Sequence, residues 1–385
     1  MTCNGAGKLV VFDSTGLGKL FGNFLADGDC DPETQTWNID TGNGLGEPTS
    51  FEQFWGTCLV EASPNPISTT TPYNPPCSPS TTSTLLFAYS NIMLMENSHE
   101  SWRLFENYKE GAYKTFGRIR FDLNWLEPIE YFSSYEDFKL SVFDTPPDLS
   151  LGSSHAYTGS NILEILENFI ENREVDVCGA QIVVYLRRYP NETDISRLAQ
   201  KFRQNHIYLY VSVSRNPSGG LEAEAMYNLT TETYGLCYYD EGREATPPLP
   251  VYQFAKPYLY YADNKRTSGG QVELKGFEVL NAGNFTFVVT VEDFVVNDGP
   301  LTTFKTLTIS MEDPITSKTI ELHRSAETMG HRTYFAENVF LSKGLYRPKL
   351  NSEYTEANTL QIRMYSDIPP DRFVPYDGDI LAYLD

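Results

Sequence analysis

The residue types that most often carry out catalysis are present in this chain, but not at the spacings of a known site. The six cysteines never form Cys-x-x-Cys and the five histidines are scattered, so zinc spacing is absent. The Gly-x-Ser-x-Gly sequence of serine hydrolases is also absent. Residues 13–19 end like a phosphate-binding loop, but Asp stands at position 13 and Leu at position 20, so we interpret them as a turn. The sequence therefore predicts no catalytic residue, no metal ligand and no cofactor.

Carboxylates are the remaining source of acid–base chemistry. With 51 acidic residues in the chain, adjacent pairs such as Glu136-Asp137 are expected by chance, and we interpret them as exposed faces. A hydrolase that uses such acids is kept as an alternative, although no nucleophile–base arrangement supports it.

Two adjacent arginines mark the best candidate for ligand contact. Arg187 and Arg188 directly follow the apolar run 181–186, and ligands of open α/β sheets bind outside the carboxyl ends of the strands. The alternative is that both arginines pair with nearby acids such as Glu192 or Asp194. The sequon at Asn191 places a candidate glycan beside them.

The elements that would position these arginines alternate between strands and helices over 84–240. Continuous apolar runs at 84–90, 181–186 and 206–213 are typical of parallel strands covered on both faces. Apolar residues at helical spacing predict a helix over 160–170, and Asp194 is expected to cap another. A first helix is predicted over 98–113. The pattern favours a central α/β fold with a doubly wound parallel sheet.

This segment resembles a von Willebrand factor A-like domain of the divergent type found in secreted nematode proteins. In that family a metal-binding Asp-x-Ser-x-Ser ends the first strand, a Thr-Gly-like turn opens a middle helix and Asp-Gly ends the fourth strand. Here the first strand ends Ala-Tyr-Ser-Asn, the turn is Tyr-Thr-Gly-Ser and the fourth strand ends in arginines. The resemblance implies the fold without the metal, and leaves Ser90 and Thr158 with the two arginines as a ligand rim.

The N-terminal region, 1–61, is predicted to be a small β-rich domain that contains Cys3, Cys30 and Cys58. Its cysteine pattern is similar to the tail of a six-cysteine domain of nematode secreted proteins, which implies a truncated start. Residues 62–83 contain 16 Pro, Ser or Thr and no charge, so we interpret them as an extended linker. Cys77 in this linker is expected to pair with Cys58, the nearest cysteine, and Cys178 with Cys237.

The C-terminal region, 250–385, changes to the alternating pattern of antiparallel strands. Alternation is clear at 285–291, 304–311 and 360–364, and turn residues separate these runs at short intervals. We predict an antiparallel β-sandwich. The whole chain is therefore expected to be multidomain.

Composition and modification signals bear on location and partners. The formal net charge of −22 disfavours nucleic acid as a partner, and no run of about 18 apolar residues predicts a membrane span. Six cysteines, a Pro/Ser/Thr tract and the sequons at Asn191, Asn228 and Asn284 predict a secreted, extracellular glycoprotein, although the chain begins without a signal peptide. The alternative is a cytosolic protein with free thiols.

The function predicted from these features is non-enzymatic binding or adhesion. The ligand is expected to be a protein or a glycan, recognised without a metal ion, and the resemblance implies roles in host defence or surface matrix. A structural matrix component that self-associates is the alternative.

Overall fold

The structure is a computed structural model. It describes the backbone of residues 7–13, 18–22, 27–31, 36–40, 49–51 and 54–60. It further describes residues 77–79, 83–93, 110–152, 155, 157–171, 174–214, 217–240, 255–292, 303–325 and 333–376, with the backbone alone at 83, 238–240 and 333–337. The chain divides into two compact units, residues 1–75 and residues 76–385.

The described residues of the first unit form antiparallel strands, as the sequence predicts for a β-rich segment. The strands are β1 Gly7–Asp13, β2 Gly18–Gly22, β3 Asp27–Asp31, β4 Thr36–Asp40, β5 Thr49–Phe51 and β6 Phe54–Val60. They form two three-stranded sheets, in the orders β2-β1-β6 and β3-β4-β5. The side chains of this unit lie outside the described residues, so the six-cysteine resemblance stays a prediction.

The second unit begins with a six-stranded mixed sheet. Its strands are β7 Ser83–Ser90, β8 Tyr113–Phe121, β9 Glu130–Phe132, β10 Gln181–Leu186, β11 Tyr208–Ser214 and β12 Leu236–Asp240. The spatial order is β12-β11-β10-β7-β8-β9, and every pairing is parallel except that of β9 with β8. The order reverses between β7 and β10, as in doubly wound sheets, and this reversal is where such sheets bind ligands. The predicted α/β architecture is confirmed, with one antiparallel edge strand added.

Four α-helices and one short 3-10 helix, Leu149–Leu151, connect these strands in the described part of the chain. The α-helices are α1 Tyr135–Asp144, α2 Ile162–Glu171, α3 Ser196–Gln204 and α4 Ala225–Glu232. The predicted stripe of α2 is buried through Ile162, Ile165, Leu166 and Phe169. Asp194 accepts a hydrogen bond from the backbone of Ser196, but the N-cap residue of α3 is Ile195. Most of the helix predicted over 98–113 lies outside the described residues, and β8 already begins at 113.

The C-terminal half of this unit is a separate antiparallel sheet. Its strands are β13 Tyr258–Glu273, β15 Gly283–Val291, β16 Phe304–Glu312, β17 Thr319–Ser325, β18 Thr333–Leu341 and β20 Lys349–Ser366, and a second, two-stranded sheet consists of β14 Phe277–Val279 and β19 Gly344–Tyr346. The long strand β20 pairs with β13 along one edge and with β16 and then β15 along the other. Buried side chains of β15, β16 and β20 belong to one apolar cluster. The short pair β14-β19 is joined to the same cluster through Phe277 and Tyr346.

The two faces of the central sheet are covered by different elements. One face packs against α2, α3 and α4, as expected for a doubly wound fold. The other face packs against α1 and also against Leu259, Val288 and Tyr365 from β13, β15 and β20 of the antiparallel sheet. Full burial of a large apolar side chain contributes about 1.5–3 kcal/mol. This shared core therefore joins the two halves, which is why residues 76–385 form one compact unit.

The disulfide pattern differs from both predicted pairings. Cys77 is bonded to Cys178, with Cα atoms 5.4 Å apart, and Cys237 is a buried free thiol. The reason is topological: β7 and β10 are parallel neighbours, so the segments that precede them, which carry Cys77 and Cys178, meet at one edge of the sheet. Cys237 lies inside β12, within the apolar cluster on the helical face. The predictions of Cys58–Cys77 and Cys178–Cys237 pairs are therefore wrong.

Candidate functional site

A buried carboxylate occupies the carboxyl edge of the central sheet. Asp122 directly follows β8, and its two oxygens accept hydrogen bonds from the hydroxyls of Ser90 (2.5 Å) and Ser160 (2.6 Å). Its backbone N–H donates to the side chain of Asn161 at 3.0 Å. Ser90 ends β7 and Ser160 lies just before α2, so this one acid ties together three chain segments at the point where ligands of such sheets bind.

Burial dominates the acidity of Asp122. Only 6% of the residue is exposed, and the loss of hydration raises the pKa of its carboxyl group from 3.8 to about 6. The hydrogen bonds from Ser160 and Ser90 and the positive charge of Arg188 lower the pKa, but by less than burial raises it. A carboxyl group held in this way serves as an internal hydrogen-bond acceptor.

Arg188 is a buried cation that orders the neighbouring loop. It is 2% exposed, and its Nη1 donates to the backbone oxygens of His155 and Thr158, both at 2.6 Å. Charge-assisted hydrogen bonds of this kind are about twice as strong as neutral ones. Arg187, next to it, donates instead to the hydroxyl of Ser214 at 2.7 Å, at the end of the neighbouring strand β11.

A second contact fixes the same loop from outside. Asn191 donates from Nδ2 to the backbone oxygen of Tyr157 at 3.0 Å. Gly159 lies so close to Asn191 that a Cβ atom at position 159 would stand 2.7 Å from its Cγ. The loop 157–160 is thus held between Arg188 and Asn191, which leaves the ring of Tyr157 84% exposed.

Exposed apolar side chains are displayed at the carboxyl edge. We define the apolar rim as Trp125, Leu126, Leu149 and Tyr157, which are 49%, 52%, 58% and 84% exposed. The first three lie on two segments joined by a bridge between Leu123 and Gly152 and by the bond from the backbone N–H of Asn124 to the oxygen of Leu151 (3.0 Å). The fourth lies on the loop fixed by Arg188. Tethered aromatic and aliphatic side chains of this kind are typical of interaction surfaces.

The residues predicted from the sequence are brought together only in part. Ser90 and Arg188 are buried around Asp122, Thr158 is exposed on the loop and contributes its backbone oxygen, and Arg187 is half-buried beside Ser214. Sequence reasoning missed Asp122 and Ser160. The signal was available, because an acid directly after β8 must lie beside the end of β7 when the two strands run parallel.

Three further predictions concern surface chemistry. The sequon residues Asn191, Asn228 and Asn284 are all exposed, so each is accessible to a glycan. Within the part of the chain that the structure describes, no group of three or more His, Cys, Asp and Glu side chains is arranged to hold a metal ion. Among the same residues, no helix is long and apolar enough to cross a bilayer.

Comparisons with known proteins give the following similarities. Residues 264–367 match a domain of unknown function, DUF7154, and a search of curated protein sequences found no match. Among solved structures, the chain is similar to proximal thread matrix protein 1 from the mussel byssus, with 13% identity, a TM-score of 0.32, and coverage of 49% of this chain and 51% of that one. This chain therefore spans about half of the mussel protein.

Two smaller structures are similar over a comparable share of the chain. The VWA domain of SpRpn10 is 14% identical with a TM-score of 0.30, covering 45% of this chain and 93% of that domain. The conserved hypothetical protein BatB from Bacteroides thetaiotaomicron is 14% identical with a TM-score of 0.29, covering 41% and 90%. The nematode affiliation suggested by the sequence stays a prediction.

Proposed function

We propose that this protein is a non-enzymatic extracellular binding protein whose central sheet recognises a partner protein through the apolar rim, without a divalent cation. The observation that carries the proposal is the position of Arg188. Its guanidinium holds two loop oxygens, and its positive charge lowers the pKa of the Asp122 carboxyl group, as a bound cation would if it ordered the same loop. A covalently attached cation needs no metal supply, so the rim is ordered permanently.

The chemistry of the rim favours a protein over a small polar ligand. Trp and Tyr are the residues most enriched at binding hot spots, and Trp125 and Tyr157 are both held by backbone contacts rather than on free loops. The seryl hydroxyls of Ser90 and Ser160 and the carboxylate of Asp122 are all buried, so a substrate has no access to them, which supports a non-enzymatic role. The Cys77–Cys178 disulfide supports an extracellular location.

The test is a binding screen with the full chain, multimerised and applied to an array of secreted and cell-surface proteins that includes the chain itself. We expect a partner whose binding persists in millimolar EDTA and is weakened about thirtyfold by Tyr157→Ala, the loss typical of a hot-spot aromatic. Ile315→Ala, which alters another largely exposed apolar residue on the antiparallel half, is the matched control. Binding that EDTA abolishes, or that Tyr157→Ala leaves unchanged, would refute the proposal, and binding only to itself would favour a matrix component.

A further inference from the structure

A cleft built from elements other than those of the rim has a volume of about 660 Å³. Its floor is formed by β13 at residues 260–262, one wall by residues 275–281 around β14, and the other wall by residues 369–375 after β20. The volume lies within the range of about 300–1,000 Å³ that small-molecule sites occupy. Neither the central-sheet site nor the matched family assigns a role to this cleft.

Both walls of the cleft are fixed before any ligand binds. Phe373 stacks on His206 of the central half, with ring centroids 4.0 Å apart and an interplanar angle of 10°. On the opposite wall, Lys275 donates from its backbone to Asp263 and from Nζ to the hydroxyl of Tyr234, both at 2.9 Å. A preformed cavity loses little entropy on binding, so this shape is suited to a weakly held, conformationally mobile ligand.

The lining combines apolar surfaces with hydrogen-bonding groups that have no internal role. Tyr260, Leu280 and three prolines supply flat or aliphatic surface. Among the described residues, four exposed polar side chains of the lining make no hydrogen bond within the chain, namely Glu278, Asn281, Asp371 and Arg372. These groups offer both donors and acceptors at the mouth of the cleft.

The charge of the cleft is balanced, although the chain as a whole is strongly acidic. Its charged lining residues are two cations, Lys275 and Arg372, and two anions, Glu278 and Asp371. A phosphate or sulfate group would gain no excess positive charge there, because Nζ of Lys275 also lies 3.9 Å from the buried carboxylate of Asp263. Donors, acceptors and apolar faces without net charge match a ligand that has hydroxyl groups and C–H faces.

We propose that this cleft binds a neutral oligosaccharide. The ring of Tyr260 packs against one sugar face, while the carboxylates of Glu278 and Asp371 accept hydrogen bonds from sugar hydroxyls and Arg372 and Asn281 donate to them. This site is independent of the apolar rim, and the protein would then bind a glycan and a protein at two separate places.

The experiment is saturation-transfer NMR and calorimetry on the full chain with a fixed panel: chitotriose, cellotriose, maltotriose, mannotriose, a sulfated heparin tetrasaccharide and a proline-rich peptide. We expect at least one neutral trisaccharide to bind. Tyr260→Ala should weaken that binding about tenfold and Asp371→Asn about fivefold. Because Tyr260 also packs edge-to-face on Phe285, the exposed Asp371 provides a variant that leaves the packing intact.

The matched control is Tyr157→Ala, which alters the rim and should leave sugar binding unchanged. Sugar binding that survives both cleft variants would overturn the proposal, as would the absence of binding by every neutral sugar in the panel. Preference for the sulfated tetrasaccharide or for the proline-rich peptide would also overturn it, and would assign the cleft to an anionic glycan or a peptide. None of these results affects the rim, whose test uses protein partners.

Discussion

Replacing Asp122 with asparagine should change how the stability of residues 76–385 depends on pH. The carboxyl group of Asp122 has a pKa of about 6 in the folded protein, against an ordinary value of 3.8. Between these two pH values the folded state keeps a proton that the unfolded state has already released. The free energy of unfolding therefore falls as the pH rises through this interval.

The magnitude follows from the difference between the two pKa values. A difference of about two units corresponds to about 3 kcal/mol, since each unit is about 1.36 kcal/mol. Well below the ordinary pKa the carboxyl group is protonated in both the folded and the unfolded state, so its burial does not lower the stability of the wild type. Above about pH 6 the folded wild type holds a buried charge and carries the full cost.

The amide introduced by Asp122→Asn would not ionise but would keep much of the geometry. The amide oxygen accepts from one seryl hydroxyl, and the amide nitrogen donates to the other after that hydroxyl rotates. We expect the stability of Asp122→Asn relative to the wild type to rise by about 2.5 kcal/mol between about pH 4 and pH 7.5, since the unfolded carboxyl group has already lost part of its proton at pH 4. The measurement is urea unfolding, followed by circular dichroism, across this pH series.

Glu321→Gln on β17 is the control, because it removes an exposed carboxylate from the other half of the same unit. Its stability difference from the wild type should vary much less with pH. If the difference between wild type and Asp122→Asn stays constant across the series, Asp122 does not titrate in this interval. The argument that burial outweighs the two hydroxyls and Arg188 would then be wrong.

Four further outcomes are expected. Arg188→Met should lower the free energy of unfolding by about 3 kcal/mol, since two charge-assisted hydrogen bonds are lost, and a loss below about 1 kcal/mol would mean that the loop is held otherwise. The double change Cys77→Ser with Cys178→Ser should cost about 2–4 kcal/mol in urea unfolding, because the bond closes a loop of 101 residues, and non-reducing peptide mapping should recover this pair. Millimolar magnesium, calcium or manganese should leave the melting temperature unchanged, since the guanidinium of Arg188 would repel a cation in this site. Two like unit charges about 4 Å apart repel by about 4 kcal/mol at an effective dielectric constant of 20. A saturable rise in the melting temperature that Thr158→Ala abolishes would contradict this. Mass analysis of secreted protein should find a glycan on at least one of the three exposed sequon asparagines, and an unmodified mass would speak against secretion.

The central sheet was predictable from the sequence because its strands are buried on both faces. The apolar runs at β7, β10 and β11 are continuous, and they gave the correct strands and their parallel direction. What covers each face was not predictable. A buried residue such as Tyr210 belongs to the same continuous apolar run whether it packs on a helix or, as here, on Tyr365 of an antiparallel sheet.

The candidate site was predictable only at positions where this chain keeps a residue type that the resembled family has there. Ser90 and Thr158 were found because they occupy the landmarks of the resembled family. Asp122 was missed because the landmarks of the resembled family place acids at the ends of β7 and β10, whereas this acid comes from the end of β8. The disulfide was missed for a related reason. Distance along the chain was used as a guide, although neighbouring parallel strands bring remote segments together.

Two buried polar side chains of β20 explain why the two halves of this unit act as one body. The amide of Gln361 accepts from the backbone N–H of Cys237 (2.9 Å), and its nitrogen donates to Thr230 of α4 (2.9 Å). Arg363, fully buried, donates to the backbone oxygens of Tyr234 (3.0 Å) and of Asp263 (2.9 Å).

These bonds also link the interface to the cleft. Tyr234 accepts from Arg363 through its backbone and from Lys275, on the cleft wall, through its hydroxyl. Asp263 likewise holds the backbone of Lys275. The residues that join the sheets are therefore the residues that shape the cleft, so the antiparallel half cannot be treated as a detachable ligand-binding module. A fragment cut between the two sheets would expose the tyrosine-rich face of the central sheet, and the two walls of the cleft would lose the supporting contacts of His206 and Tyr234.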